Sequence, residues 1–349
     1  MLIHHSQFTP TPTYRQEAAA TYSERGESLA LRGLDGYDKH RHNPEKASDH
    51  LNLYFQEIGT NPETSSFEKE VATLGKRLSL YNDSDSRVVA RTQRAALGAI
   101  AASVPGPAGQ VLAQIGLNLV GQSASDYGTG RVVAREALRA LAVSDSTSSR
   151  QKDMAALGME FGASRMPSSE AMALRRTVLN DIAKNTDASL STPAALARST
   201  GRAVTLNRFS SWKTINTTLT TGLQEIQVNP ESSGRERSLA EHGLTLGHKF
   251  TDRAATIIRE AFLVELTKGT AESATTSLAR AALNTADSEL STTSKRFVMD
   301  SIFSQVVSDP AATESQREFA RYALQNADRD PLYADSVRKQ YMQWVVSAG

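Results

Sequence analysis

Histidines and acids are the first residues that offer chemistry. His40, His42 and His50 stand beside Asp38 and Asp49, and hard nitrogen and oxygen donors grouped in this way are the kind that hold a divalent metal. They lack the fixed helical spacing of metal motifs. Asp38 to Pro44 reads equally as a polar loop between two helices, with Asp49 and His50 on the exposed first turn of the second, and no metal site is assigned. Gly128-Thr129-Gly130 ahead of a helix has the form of a phosphate-cradling turn, because amides at a helix N-terminus attract anions. No strand precedes it and the remaining glycine or lysine of the known fingerprints is missing, so a plain inter-helix turn accounts for it.

Nucleophilic chemistry finds no better footing. The chain has no cysteine, which excludes thiol catalysis, disulfides and zinc ribbons. Ser144 to Ser149 and the pair Ser210 and Ser211 have no histidine near them in sequence, and the G-x-S-x-G elbow is absent. His242 and His248 are six residues apart and do not share a helix face. The expectation is a protein that is not an enzyme, with no cofactor.

The elements that would position any site come from composition and periodicity. Of 349 residues, 39% are hydrophobic, only 6% are aromatic, and Lys and Arg (39) nearly balance Asp and Glu (38). This Ala- and Leu-rich balance favours helix over sheet, and the near-neutral charge argues against nucleic acid as the main partner. No stretch approaches the ~20 apolar residues of a membrane span. Residues 1–25, with Thr9-Pro10-Thr11-Pro12, lack the apolar centre of a cleavable signal and are expected to be a disordered polar leader. Residues 26–349 are expected to form one domain.

Two registers run through that domain. An Ala followed three positions later by a small residue recurs at Ala30, Ala72, Ala113, Ala155, Ala197, Ala240, Ala279 and Ala320, in steps of 39 to 43. About twenty residues after each begins an apolar stripe at i, i+4, i+5 and i+8, starting at Leu51, Thr92, Val133, Leu174, Ile215, Ile258, Val298 and Val337. Gln56, Gly59, Thr92 and Thr220 break it. Both registers lengthen around Val228 to Arg235, where Asn229, Pro230 and Gly234 mark a loop. The spacing predicts an all-α fold, an α-solenoid superhelix of about eight two-helix repeats with a period near 41. In each repeat the small pair lets helix A approach a neighbour closely and helix B supplies bulk.

A 41-residue helix pair resembles HEAT and armadillo units, a resemblance covering Ser28 to Val346 and resting on spacing and the small/apolar pattern. The chain is also similar to bacterial type III secreted effectors built from repeats of about 42 residues, in its repeat length, Ala-rich helices, lack of Cys and Ser/Thr/Pro-containing leader. That resemblance implies secretion into a host cell without a cleavable signal; the alternative is a bacterial cytoplasmic protein.

In HEAT-like arrays the B helices line the concave side, which implies that their outward residues meet a partner protein or peptide. Those residues here are Arg135, Arg175, Arg176, Asn216, Arg259 and Arg338. Trp212, with Phe209 at the start of the fifth B helix, and Trp344 on the last one are further candidates, since Trp and Arg dominate binding hot spots. Trp344, with Met342, Val345 and Val346 on an uncapped terminal repeat, points to a homodimer through that end. The expected function is a protein-binding scaffold. The alternatives are a homo-oligomeric structural scaffold and a HEAT-like DNA-repair glycosylase, which needs a basic groove with a carboxylate and aromatics at its centre.

Overall fold

The computed structural model describes residues 18–80, 85–162, 166–207, 210–269 and 272–349. Among these the fold is all-α, with sixteen helices and no strand beyond a single bridge between Ala19 and Pro107. The first four are α1 (Glu24–His40), α2 (Pro44–Thr60), α3 (Ser66–Arg77) and α4 (Ser86–Ala102). The next four are α5 (Ala108–Gln122), α6 (Tyr127–Val143), α7 (Ser149–Glu160) and α8 (Ser168–Lys184). Then come α9 (Thr192–Leu206), α10 (Trp212–Val228), α11 (Gly234–Gly247) and α12 (Asp252–Thr267). The last are α13 (Ala274–Ala286), α14 (Thr292–Ser308), α15 (Glu314–Asn326) and α16 (Ala334–Ser347).

Local sequence starts these helices. Ser, Thr, Asp or Asn side chains accept amide hydrogens at most of the N-termini, as at Ser23, Asn43, Asp126 and Ser191. Reciprocal capping boxes recur at every fourth helix: Ser65 with Glu68, Ser148 with Gln151, Ser233 with Glu236, and Thr313 with Gln316. Residues 18–25, expected in the leader, are instead held in place. Ala20 N–H donates to the Gly106 carbonyl (2.8 Å), Ala108 N–H to the Ala18 carbonyl (2.8 Å), and α1 has begun by Glu24. The rest of the expected leader lies outside the described residues.

All eight alanines of the first register fall on odd-numbered helices and are fully buried, and each small partner, from Gly33 to Ala323, is buried with it. The close approach they allow is concrete at Gly116, where an added Cβ would come 2.7 Å from the Ala137 methyl on α6. The second register falls on even-numbered helices, with Leu179, Phe262 and Ile302 fully or almost fully buried. Its exceptions have local reasons. Thr92 is buried because its hydroxyl donates to the Val88 carbonyl of its own helix (2.7 Å), whereas Gln56 and Gly59 face solvent and Ile58 takes over the stripe.

The packing groups helices in fours. Within each group, first packs on second, second on third, third on fourth, and fourth back on first: α1 on α4, α5 on α8, α9 on α12, α13 on α16. The second and fourth also touch across the middle. Successive groups meet mainly through α4 with α5, α8 with α9, and α12 with α13. One layer, α1, α4, α5, α8, α9, α12, α13 and α16, therefore runs unbroken, while in the other the contacts of α3 with α6 and α7 with α10 are sparse. The layers mix A and B helices. The expectation that B helices share one side is corrected: α4, α8, α12 and α16 lie in one layer, α2, α6, α10 and α14 in the other. The physical reason is the fourth-on-first closure, which turns every second pair over.

Candidate functional site

Three residues expected on an outward face are inside. Arg175, Arg259 and Arg338 are 2%, 2% and 3% exposed. Each sits on the fourth helix of a group, one position after its stripe begins, and Gln93 holds the same place on α4. Each reaches the second helix of its group. Gln93 Nε2 donates to Asn52 Oδ1 (3.0 Å) and to the Gly75 carbonyl (3.2 Å). Arg175 donates to the Arg131 carbonyl (3.2 Å) and the Met159 carbonyl (3.1 Å). Arg259 donates to Asn216 Oδ1. Arg338 donates to both oxygens of Asp300 (2.7 and 3.0 Å) and of Asp328 (2.9 Å each).

Their electrostatics differ. Burial, with the Arg131 and Arg135 guanidiniums nearby, pulls Arg175 down to about 10, and its Nε has no hydrogen-bond partner among the described residues. Burial also lowers Arg259, against a smaller opposing pull from Asp252. Burial opposes the charge on Arg338 too, but the hydrogen bonds it donates to Asp300 and Asp328 outweigh this and hold its pKa above the usual guanidinium range. These residues clasp helices within the chain. Asn216, half-buried between Arg259 and Asp252, belongs to one such clasp.

The remaining candidates do not converge. Arg135 on α6 is exposed in the second layer. Trp212, first residue of α10, is 49% exposed beneath the Arg253 guanidinium, 5.8 Å from the ring centre; Phe209 lies outside the described residues. Trp344 is 38% exposed in a ring cluster at the end of the array, 4.6 Å from Tyr341 and 5.5 Å from Phe319, with Tyr322 stacked 4.8 Å from Tyr341.

Of the expected residues, Arg176 lines a large concavity. A trough of about 1200 Å³ runs along α5, with α4 and α8 contributing to its lining. Gln110, Gln114, Asn118 and Gln122 place one carboxamide per turn along α5. Ala95, Gly98, Ala99 and Ala102 give α4 a low wall, and Arg176, Thr177, Asn180 and Lys184 give α8 a polar one. Tyr22 and the loop Val104 to Pro107 also line it, and Tyr22 Oη donates to the Val104 carbonyl (3.0 Å). Among the described residues no carboxylate lines the trough. Sequence reasoning missed it because it joins helices of two groups and alternates A and B. The amide stripe at i, i+4, i+8 and i+12 of α5 was the signal available.

The other sequence motifs have structural work. Gly128 N–H (3.0 Å) and the Thr129 hydroxyl both donate to Asp126, which fills the helix N-terminus where an anion would sit and holds that carboxyl below its usual range, chiefly through Thr129. His50 packs between His40 and Tyr54, rings 5.6 and 5.1 Å away, and among the described residues no three His, Asp or Glu stand together as a metal requires. Ser144 binds Glu70 (2.9 Å), Ser211 caps α10, and His242 Nδ1 lies 2.8 Å from the Ser238 carbonyl. Among the described residues no helix is long and apolar enough to cross a membrane.

The fold and the trough define an all-helical protein of repeat-like architecture. Comparison with protein-family models, curated proteins and solved structures yields no match.

Proposed function

We propose that the chain is a non-enzymatic interaction scaffold, an α-solenoid of the HEAT and armadillo kind with a period near 41 residues, that holds a partner protein in the trough over α5. The observation that carries this reading is the trough itself: about 1200 Å³, open, and lined chiefly from three helices by small and polar side chains together with apolar ones such as Val111, Ile115, Leu117 and Met172. Concave surfaces spanning successive elements are the binding surfaces of stacked helical arrays. The test is capture of partner from host or bacterial extract by the intact chain and by Gly98→Trp, whose new side chain would enter open space, since nothing lies within 4 Å of a Cβ there. The reading predicts a protein retained by the first and lost from the second. Retention by both removes the trough from the function. Secretion as an effector rests on the resemblance in repeat length and composition, and a translocation reporter fused to residues 1–25 tests it.

A second reading, self-association through the last helix pair, is favoured by the exposed rings of Tyr322 and Trp344, which cluster with Tyr341 and Phe319. Sedimentation of the wild type and Trp344→Asp decides it: a dimer that dissociates supports it, and a wild-type monomer refutes it.

A further inference from the structure

We infer that the occupant of the trough is an extended, acidic peptide segment of the partner protein, with two carboxylates about four residues apart; this rests on the trough being the binding surface. The floor and the α8 wall each supply part of the recognition. Gln114, Asn118 and Gln122 are exposed on α5, over about 18 Å from Gln110 to Gln122 at 1.5 Å per residue; Gln114 Nε2 donates to Asn118 Oδ1 (3.2 Å), and since each carboxamide has two N–H donors and two lone pairs, a donor and an acceptor remain at each of these three turns. A peptide in extended form has alternating free N–H and C=O groups along its length, and carboxamides satisfy both without reading side chains.

Charge selects among such peptides. Arg176 and Lys184 are exposed, lie on one face of α8, and make no ion pair among the described residues. They are separated by two helical turns, about 12 Å. An extended chain advances about 3.3 Å per residue, so carboxylates four positions apart meet both cations. With no carboxylate among the described residues of the lining, no acidic side chain there neutralises them, and a basic peptide is repelled. Leu179 stands against Gly116, and Met172 near Ser123, so α8 runs opposite to α5. Arg176 is thus level with Asn118 and Lys184 with Gln110, and both cations look onto the amide stripe. Nucleic acid is the less favoured occupant, because two cations and one aromatic, Tyr22, fall short of the phosphate contacts and stacking platforms it uses.

The test uses the full chain and fluorescein-labelled Ser/Thr/Gly peptides of about a dozen residues. One carries two glutamates four positions apart, one carries glutamines there, one lysines, and a labelled oligo(dT) serves as the nucleic-acid probe. Fluorescence anisotropy at low salt is expected to show the glutamate peptide binding about tenfold or more tightly than the glutamine peptide. Arg176→Glu with Lys184→Glu is expected to abolish that preference and to admit the lysine peptide. Gln114→Ala with Asn118→Ala is expected to weaken the glutamate and glutamine peptides alike. These side chains are exposed, and circular dichroism verifies that the variants fold. Equal binding of glutamate and glutamine peptides, preference for oligo(dT), or a preference that survives the double charge reversal overturns the inference. If neutral or basic peptides bind and Gly98→Trp blocks them, the trough stands as the binding surface and only its acidic selectivity falls. If no peptide binds, the peptide assignment falls while extract capture still judges the trough.

Discussion

Arg175 and Arg338 hold the same place in two different groups, so replacing each with methionine isolates what their partners contribute. Arg175→Met removes a guanidinium that burial already disfavours. Its fall to about 10 corresponds to roughly 3 kcal/mol against the charged form. Opposing this are its two charge-assisted hydrogen bonds to carbonyls, each about 1.5 to 3 kcal/mol. The difference is a net loss of about 0 to 3 kcal/mol, and the buried apolar length that methionine keeps lowers the expected loss to about 0 to 1.5 kcal/mol. Arg338→Met instead breaks contacts to two carboxylates. Removing one partner of a buried pair costs about 3 to 5 kcal/mol, but Asp300 and Asp328 are 35% and 70% exposed and regain water, which brings the expected loss to about 2 to 3 kcal/mol. Urea unfolding followed by circular dichroism gives the totals. Hydrogen exchange in α8 and α16 localises them, because a long array need not unfold in one step. Equal losses, or a larger loss for Arg175→Met, would refute this account of the clasps.

Glycine positions give a contrast of sign. Gly116→Ala forces a Cβ against the Ala137 methyl and is expected to cost about 1 to 3 kcal/mol, whereas Gly59→Ala meets nothing and should gain about 0.5 to 1 kcal/mol; thermal melts that rank them otherwise count against the close-approach reading. Phe262→Ala, in the core of α12, should cost about 3 to 5 kcal/mol in chemical denaturation, and a loss under about 1 would mean that the site is not packed as described. His50 has its pKa lowered by burial first and by His40 and Lys39 next, against a smaller pull from Asp35. The folded chain therefore binds this proton less readily than the unfolded one, and the contribution is full above about pH 6.5 and lost as pH falls below it. His50→Gln should flatten the fall in melting temperature between about pH 7 and 5.5, and an unchanged slope would dismiss the effect.

The sequence made the helices legible because small and apolar residues recur where packing demands them. Ala30 through Ala320 are all buried, but the loop lengthening expected near Asn229 is not found: residues 229–233 span five positions, as do 61–65, 144–148 and 309–313, and Ser232 donates to the Ile226 carbonyl (2.6 Å) as Thr64 and Thr147 do to Ile58 and Leu141. The grouping by four was hidden because both registers treat every pair alike. Its traces are polar and lie outside an apolar pattern: capping boxes 80 to 85 residues apart from Ser65 to Thr313, and the clasp residues Gln93, Arg175, Arg259 and Arg338. Periodicity says that a face is buried but not which neighbour buries it. Arg175 and Arg176 are adjacent charges of the same type, and one clasps α6 while the other lines the trough. Only the direction in which each leaves the helix separates them.

The fourth-on-first closure makes this array sensitive to parity. Deleting or duplicating a single helix pair would move every later helix to the opposite layer, set a clasp residue such as Arg259 where α10 or α14 now stands, and exchange boxed for unboxed helix starts. Two pairs, about 83 residues, can be gained or lost without that inversion. A chain built on this plan therefore changes length in steps of four helices, and any variant with an odd number of pairs must carry a terminal half-group with its inner polar face open to water.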